Sequence, residues 1–318
     1  MIEVKNLEKV FGNYSAVSDV SFNVKRGEVL GFLGPNGAGK STTMKMLAGF
    51  LNPTSGTAII CGNDVLKNPM EVKKSMGYLP EGAPAYGDMT ALTFLSFIAD
   101  IRGYSGEEKT RRINRVVEIT HLEKILNQTI ETLSKGFKRR VGIAQAILHD
   151  PEVLIMDEPT DGLDPNQKHE VRALIQNMAK DKAIIISTHI LEEVNAICDR
   201  AIIIAQGKLL FDGTPDELEA KSRYHNAVNL VLTTNTAGAI AKKLKQTSGV
   251  ADVEFREARP GTFSFRVVAK NGQSIIKDVN NSAQENGWQF EALNVETGHL
   301  DEVFRDITSV EIEGDARS

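Results

Sequence analysis

The chain has 318 residues, of which 41% are hydrophobic and 25% are charged, and its formal net charge is −5. This composition is typical of a water-soluble protein large enough for about two domains. The negative charge argues against a general nucleic-acid binder, because phosphate neutralisation needs a basic surface. No apolar run approaches the ~18 residues of a membrane helix, and the N-terminal residues lack the form of a signal peptide. We therefore expect a cytoplasmic protein with no nucleic-acid partner.

The two cysteines, Cys61 and Cys198, lie far apart and form no C-x-x-C pair. We expect two buried free thiols, since neither a disulfide framework nor a zinc site can be built from them. The chemistry of the chain must therefore come from other residues.

Residues 1 to about 27 predict antiparallel strands. Apolar and polar positions alternate in this stretch, which breaks at Gly12-Asn13. Phe11 lies immediately before that break. These residues alone explain Phe11 equally well as a core aromatic in a strand or as a ring that stacks on a nucleotide base.

Residues 34–41, Gly-Pro-Asn-Gly-Ala-Gly-Lys-Ser, fit the pattern G-x-x-x-x-G-K-[ST]. A predicted buried strand, Val29–Leu33, precedes them and a predicted helix follows, which is the context that a phosphate-binding loop requires. The three glycines would supply φ angles that other residues resist, so that backbone amides and the helix N-terminus face the phosphates. Lys40 would reach the β- and γ-phosphates of a nucleotide, and Ser41 would bind Mg²⁺. The residues expected to bind nucleotide here are Gly34, Pro35, Asn36, Gly37, Ala38, Gly39, Lys40, Ser41 and Thr42.

The chain changes character between about residues 88 and 150. Before this stretch, the pattern predicts strands within residues 57–65 and 76–79. Within it, apolar residues recur at helical spacing, and Ser105 with Glu108 resembles a capping box. We expect a helical insertion within an α/β frame.

Two acids follow the most uniformly apolar strand of the chain. Residues 133–140 first open a helix with the sequence Leu-Ser-Lys-Gly-Phe-Lys-Arg-Arg. Val153–Met156 then predicts a strand buried on both faces of a parallel sheet, and Asp157 and Glu158 come directly after it. Because α/β sheets bind ligands at the carboxyl ends of their strands, both acids lie at a candidate site. Taken alone, the pair is also explained as a solvated strand end.

His189 lies just past a second buried strand, residues 183–188. Between the two strands, Asp164 and Pro165 predict the start of a helix, as its N-cap and first helical residue. Taken alone, His189 is more simply a core or surface histidine. Residues 201–211 then predict a hairpin around Gln206-Gly207.

Past about residue 223 the pattern predicts a second domain. Strands and helices alternate there in the order βαββαβ, which suggests a small split-βαβ domain of the α+β class. It contains no phosphate loop, paired acids or ligand-spaced histidines. We therefore predict two domains, residues 1–222 and 223–318. The second would be a regulatory or interaction module or a structural appendage.

The motifs of the first domain occur in an order that resembles the ATP-binding subunits of ABC transporters. In chain order these are the phosphate loop, an LSGGQ-like signature, a Walker B strand end, a D-loop and a switch histidine, at residues 34–41, 133–137, 157–158, 161–164 and 189. The resemblance implies an α/β P-loop NTPase fold of the ABC ATPase type, with a mixed-sheet core, an antiparallel β subdomain and a helical insertion. Phe11 falls at the family's adenine-stacking position, which favours that role.

The resemblance also implies ATP and Mg²⁺ as ligands and assigns roles to the acids. Ser41, Glu81 and Asp157 would contact the metal ion. Glu158 would orient or deprotonate the attacking water, and His189 would contact the γ-phosphate.

Ser134 and Gly136 belong to the signature segment, far along the chain from the phosphate loop. The resemblance implies that they complete the nucleotide site of a second subunit. This predicts a head-to-tail homodimer that ATP closes and hydrolysis releases.

Two departures from the family pattern occur. Glu81 stands where most relatives have a glutamine, which keeps an oxygen ligand but adds a charge. Lys135 and Phe137 replace a glycine and a glutamine of the signature, while Ser134 and Gly136 remain.

The details resemble the subgroup that partners ABC-2 type export permeases, which includes gliding-motility and multidrug systems. Members often carry a C-terminal extension with a Leu-x-x-x-Phe segment, here Leu300 to Phe304. The expected function is ATP hydrolysis that powers a membrane exporter, from the cytoplasmic face of the membrane. The alternatives are an ABC-type ATPase that acts on DNA or the ribosome, and a P-loop kinase.

Overall fold

The computed structural model describes residues 1–82 and 86–315, with side chains described as far as residue 309. It divides into two compact units, Met1–Gly213 and a second that begins at Thr214. The predicted boundary after residue 222 lies later in the chain, because the short helix that Thr214 caps belongs to the second unit.

The strands are β1 (Ile2–Phe11), β2 (Tyr14–Val24), β3 (Val29–Leu33), β4 (Ser55–Ile60), β5 (Asn63–Asp64), β6 (Met76–Leu79), β7 (Val153–Asp157), β8 (Ala183–Thr188), β9 (Arg200–Ala205), β10 (Lys208–Gly213), β11 (Val228–Thr233), β12 (Val250–Arg259), β13 (Thr262–Ala269) and β14 (Phe290–Val295). The helices are α1 (Lys40–Leu47), α2 (Pro69–Ser75), α3 (Ala91–Ile101), α4 (Gly106–Thr120), α5 (Lys135–Ile147), α6 (Pro165–Ala179), α7 (Leu191–Ile197), α8 (Pro215–Glu219), α9 (Ala237–Lys245), α10 (Ile276–Glu285) and α11 (Leu300–Asp315). Across the described ranges, none of these helices combines the length and apolar character needed to cross a bilayer.

The first unit is built on a six-stranded sheet in the order β10-β9-β3-β8-β7-β6. All neighbouring pairs are parallel except β9 and β10, which form the predicted hairpin. Every residue of β3, β7 and β8 is buried. These strands are apolar up to their C-terminal ends because layers of structure cover both faces of the sheet.

Two hydrophobic cores lie on opposite faces of this sheet. Successive side chains of β7 alternate between them: Val153 and Ile155 enter one core, and Leu154 and Met156 enter the other. The first core is closed by α1 and by the antiparallel sheet β2-β1-β4-β5. The second is closed by the helices of the insertion and by α6. The predicted mixed-sheet core, antiparallel β subdomain and helical insertion are therefore confirmed.

The two helix starts for which the sequence predicts a capping side chain have different outcomes. The Asp164 carboxylate accepts a hydrogen bond from the Gln167 amide at 2.9 Å, so the predicted N-cap of α6 is confirmed. The predicted capping box at Ser105 is wrong, because the Ser105 side chain makes no cap hydrogen bond. The Glu108 carboxylate instead accepts from the Arg112 guanidinium one turn along α4, at 2.6 Å.

The second unit has the predicted βαββαβ order, completed by α11. Its sheet, in the order β12-β13-β11-β14, is antiparallel throughout. Helices α9 and α10 bury one face, where Leu230 and Phe265 pair across β11 and β13 and Val279 packs from α10. The α+β class predicted for this part of the chain is confirmed.

His149 is a buried histidine that joins the end of α5 to β6. It is 8% exposed, and its Nε2 lies 3.1 Å from the Met76 carbonyl oxygen. Its Nδ1 has no hydrogen-bond partner within the described ranges. Burial, reinforced by the nearby Arg102, Arg112 and Lys182 cations, lowers the pKa of His149 to about 4. The imidazole is therefore neutral at physiological pH, with Nε2 as the donor.

This depressed pKa predicts a loss of stability in mild acid. The unfolded chain binds a proton at His149 below the ordinary pKa of 6.5, whereas the folded chain does not until about 4. The free energy of unfolding should therefore fall as pH drops through this window, by up to roughly 3 kcal/mol. His149→Gln should flatten that dependence in urea titrations between pH 7 and pH 5. The exposed His169 supplies the control His169→Gln, and equal slopes for both variants would contradict the assignment.

Candidate functional site

The phosphate loop joins the end of β3 to the start of α1, as the pattern predicts. Gly37 and Gly39 have φ angles of 82° and 106°, which favour glycine. Gly34 does not have a positive φ, so the expectation of an unusual φ there is wrong. Glycine is required at position 34 because there is no room for a side chain: a Cβ there would lie 2.3 Å from the carbonyl oxygen of Ile204 on β9.

Lys40 is a buried cation at the first position of α1. It is 6% exposed, and its Nζ donates hydrogen bonds to the carbonyl oxygens of Gly34 at 2.7 Å and Pro35 at 3.2 Å. Burial lowers the pKa of Lys40, while the negative charges of Glu158, Asp157 and Glu81 oppose that change. The loop therefore surrounds one buried ammonium group, and the negative charges of three carboxylates favour its protonated form.

Asp157 ends β7 with one carboxylate oxygen paired and the other open. The residue is 1% exposed, and its Oδ1 accepts a hydrogen bond from the Ser187 hydroxyl on β8. Its buried Oδ2 has no hydrogen-bond partner within the described ranges. An unpaired buried carboxylate oxygen is costly unless a ligand takes it. Asp157 is thus not part of a solvated strand end.

These residues fit the predicted Mg²⁺. The ion takes oxygen ligands and is usually held by one or two carboxylates together with substrate phosphates, not by an all-protein cage. The open Oδ2 of Asp157 supplies a carboxylate, Ser41 lies in the first turn of α1, and Glu81 lies in the exposed loop after β6.

Glu158 and His189 form a pair at the same edge of the sheet. The His189 Nδ1 and the Glu158 Oε2 are 2.9 Å apart. Glu158 is 8% exposed, whereas the His189 side chain is 47% exposed, so His189 is not a core residue. Burial raises the pKa of Glu158, although the hydrogen bond to His189 acts in the opposite direction. A carboxylate whose pKa is raised in this way accepts protons better than an exposed one.

Two buried charged residues near this pair have no signal in the sequence. Glu193 on α7 is 1% exposed and accepts hydrogen bonds from the hydroxyls of Thr160 and Thr188. It therefore ties the start of the loop at residues 161–164 to the strand end next to His189. The second is Arg139 on α5, whose guanidinium donates to the Glu158 carbonyl oxygen.

The signature residues lie in a different part of the first unit from the phosphate loop. Ser134 is the N-cap of α5, where its hydroxyl accepts from the Phe137 amide at 3.4 Å. Gly136 is buried, and a Cβ there would lie 2.6 Å from the Gln167 side chain on α6. Helix α5 packs on α3, α4 and β6, whereas α1 packs on β2, β7 and β8. The fold therefore does not bring Ser134 and Gly136 to the phosphate loop of their own subunit.

Phe11 ends β1 with its ring about half exposed, at 49%. The Lys9 Nζ lies 5.0 Å from the ring centroid, a cation–π distance. The explanation of Phe11 as a core aromatic is therefore wrong. Adenine stacking stays a prediction that this exposed ring permits.

A mixed α/β sheet with a phosphate loop, a buried carboxylate oxygen without a protein partner and a Glu–His pair at one edge defines a P-loop NTPase. Residues 17–161 match the family model described as ABC transporter. The chain is 40% identical to the probable multidrug ABC transporter ATP-binding protein YbhF of Escherichia coli (strain K12) over 70% of its length, but spans 38% of that relative. It is 31% identical to the linearmycin resistance ATP-binding protein LnrL of Bacillus subtilis (strain 168), over 97% of this chain and 98% of LnrL.

Among solved structures, the chain resembles the dimeric bacterial ABC transporter cassette MJ0796. The TM-score is 0.60 at 26% sequence identity, over 68% of this chain and 99% of that one. The chain belongs to the ABC transporter family, as one of its ATP-binding subunits.

The buried ammonium group of Lys40 gives a first binding test. Lys40→Ala removes a cation that would make charge-assisted hydrogen bonds to phosphate, each worth ~1.5–3 kcal/mol, so ATP affinity should fall about a hundredfold or more. Titration calorimetry measures this loss. The exposed Lys45 on the same helix supplies the control Lys45→Ala, and wild-type affinity in Lys40→Ala would contradict the phosphate-loop assignment.

Phe11 gives a second, independent test. Phe11→Ala should weaken ATP binding by ~1–3 kcal/mol, as expected for the loss of base–aromatic stacking. Affinity for a triphosphate without a base should not change. Phe255→Ala, at another exposed ring in the second unit, is the control. Equal ATP affinity in wild type and Phe11→Ala would remove the stacking role.

Proposed function

We propose that this chain binds and hydrolyses ATP to power a membrane permease, and that two copies close around the nucleotide. The observation that carries the proposal is the Glu158–His189 pair, held beside the open Asp157 oxygen at the end of β7. Hydrolysis requires a positioned water, neutralised phosphate charge and a proton acceptor. These three requirements fall on groups that meet at one sheet edge.

Each group has a separate task in this proposal. The backbone amides of the loop from Asn36 to Thr42 and the Lys40 ammonium hold the phosphates at the start of α1. Ser41, Asp157 and Glu81 would hold Mg²⁺, which when bound neutralises phosphate charge. Glu158 orients the attacking water and accepts its proton, since burial raises the pKa of this carboxylate. His189 holds Glu158 at 2.9 Å and contacts the γ-phosphate.

A head-to-tail homodimer follows from the separation of the motifs. Ser134 is exposed at the N-cap of α5, and α5 packs on α3, α4 and β6, whereas α1 after the phosphate loop packs on β2, β7 and β8. A second subunit placed head to tail would bring its Ser134 and Gly136 to that loop. The dimeric cassette MJ0796 supports the formation of a dimer.

The partner we propose is an export permease of the ABC-2 type, with this subunit attached at the cytoplasmic face of the membrane. Relatives named for multidrug transport and linearmycin resistance support export. Exposed apolar side chains support a partner, since Phe50, Met70 and Ile101 are all exposed. The Lys73 Nζ lies 5.9 Å from the Phe50 ring, and the Lys73 carbonyl oxygen accepts from Arg102.

The alternatives are less well supported. ABC-type ATPases that act on DNA or the ribosome usually carry two phosphate loops in one chain or a long coiled-coil insertion. This sequence has one such loop, and the longest helix of its described insertion has 15 residues. A P-loop kinase would leave residues 133–137 and His189 unexplained. Purification from membranes separates these proposals, because only the transporter subunit should bring down a multispanning membrane protein.

Glu158→Gln tests the catalytic assignment. The amide keeps the size of the side chain but cannot accept a proton, so ATP turnover should fall about a hundredfold or more. ATP should still bind, and the ATP-bound dimer should accumulate, as measured by light scattering on a sizing column. Glu192→Gln, at an exposed acid of α7, is the control. Unchanged ATPase activity in Glu158→Gln would remove Glu158 from its role.

A further inference from the structure

Arg139 joins three separate segments of the first unit through one buried side chain. It is 7% exposed and lies in the first half of α5. Its Nη2 donates to the Glu158 carbonyl oxygen at 2.6 Å. Its Nη1 donates to the carbonyl oxygens of Pro80 at 3.2 Å and Gly82 at 3.4 Å, on either side of Glu81. Helix α5, the loop after β6 and the end of β7 therefore meet at the Arg139 guanidinium.

The position of Arg139 is costly, which argues that it has a role beyond filling space. Burial lowers the pKa of Arg139, and the carboxylates of Asp161, Asp157, Glu158 and Glu81 oppose that change. A buried cation is tolerated only where hydrogen bonds and opposite charge compensate for lost hydration. Among cations, only the planar guanidinium offers several donors in a fixed fork.

Glu158 needs support from both sides of its backbone. Its φ angle is 50°, in the left-handed region that a non-glycine residue adopts only when its surroundings hold it there. The Glu158 amide donates to the Ser187 carbonyl oxygen at 3.1 Å. The Glu158 carbonyl oxygen accepts from Arg139 and from the Asp161 amide, at 3.2 Å for the latter. Ser187 thus holds one side of this residue and Arg139 the other.

We infer that Arg139 is a positioning residue that couples the loop carrying Glu81 to Glu158. The inference rests on the proposed catalytic role of Glu158. A displacement of the loop after β6 moves two acceptors of the guanidinium, and the same guanidinium holds the backbone that aims the Glu158 carboxylate. Because all three acceptors are main-chain oxygens, the hydrogen bonds that carry the coupling follow the path of the loop and do not require a glutamine side chain at position 81. It therefore operates with the glutamate that this chain carries there.

The test compares Arg139→Gln and Arg139→Lys in the full-length chain. Arg139→Gln removes the guanidinium that bridges the three carbonyl oxygens. Because a small misplacement of a catalytic group lowers the reaction rate up to about a hundredfold, kcat per bound nucleotide should fall roughly ten- to a hundredfold. The Kd for ATP should stay within about threefold, because no bond to the phosphate loop is lost. Arg139→Lys should not restore kcat, since a single ammonium group cannot bridge three carbonyls. Arg112→Gln, at a half-buried arginine of α4 that also donates to a main-chain oxygen, is the matched control.

Amide hydrogen exchange tests the coupling between the loop after β6 and Glu158 independently of ATP hydrolysis. In wild type, the Asp161 amide and the segment 76–82 should change protection together on ATP binding, and in Arg139→Gln they should change independently. A merely structural role would lower Tm in Arg139→Gln but leave kcat per binding site within about twofold of wild type. That result, full rescue by Arg139→Lys, or coupled exchange in Arg139→Gln would each overturn the inference. Full turnover in a parallel Glu158→Gln sample would instead reject the catalytic assignment, so the two failures are distinguishable.

Discussion

The site depends on three apolar strands that lie side by side and end at the same edge. β3, β7 and β8 are buried along their whole length, and their polar side chains stand only at their C-terminal ends. The polar chemistry is therefore confined to these strand ends and to the residues that follow them. The phosphate loop follows β3, the acid pair ends β7, and Thr188 with His189 ends β8. One hydrophobic constraint thus places a cation, two carboxylates and an imidazole together.

The cost of this arrangement is several buried charges, and the structure offsets each one with a specific partner. Ser187 donates to Asp157 and also receives the Glu158 amide, so one strand residue orients both acids. Glu193 is held by the hydroxyls of Thr160 and Thr188. One carboxylate oxygen of Asp157 has no partner within the described ranges, and this is the oxygen that we propose contacts Mg²⁺.

The sequence predicts the strands, the phosphate loop and the acids because each has a local signal, either a periodicity or a fixed spacing. The βαββαβ order of the second unit was predictable for the same reason. Arg139 and Glu193 have no such signal, because their partners lie elsewhere in the chain: Arg139 reaches Pro80 across 59 positions. The capping box at Ser105 failed where Glu108 found arginine partners instead. Gly34 was predicted for the wrong reason, since crowding by another strand cannot be inferred from neighbours in sequence.

The hydrogen bonds of Lys40 to the carbonyls of Gly34 and Pro35 have a consequence for the cycle of nucleotide entry and exit. These bonds fix the end of the lysine side chain to the backbone of the loop that precedes α1. A phosphate bound by this loop therefore competes with two carbonyl oxygens for an ammonium group whose position is already set. Because the side chain is ordered by the loop itself, less conformational entropy is lost on binding than with a freely rotating lysine.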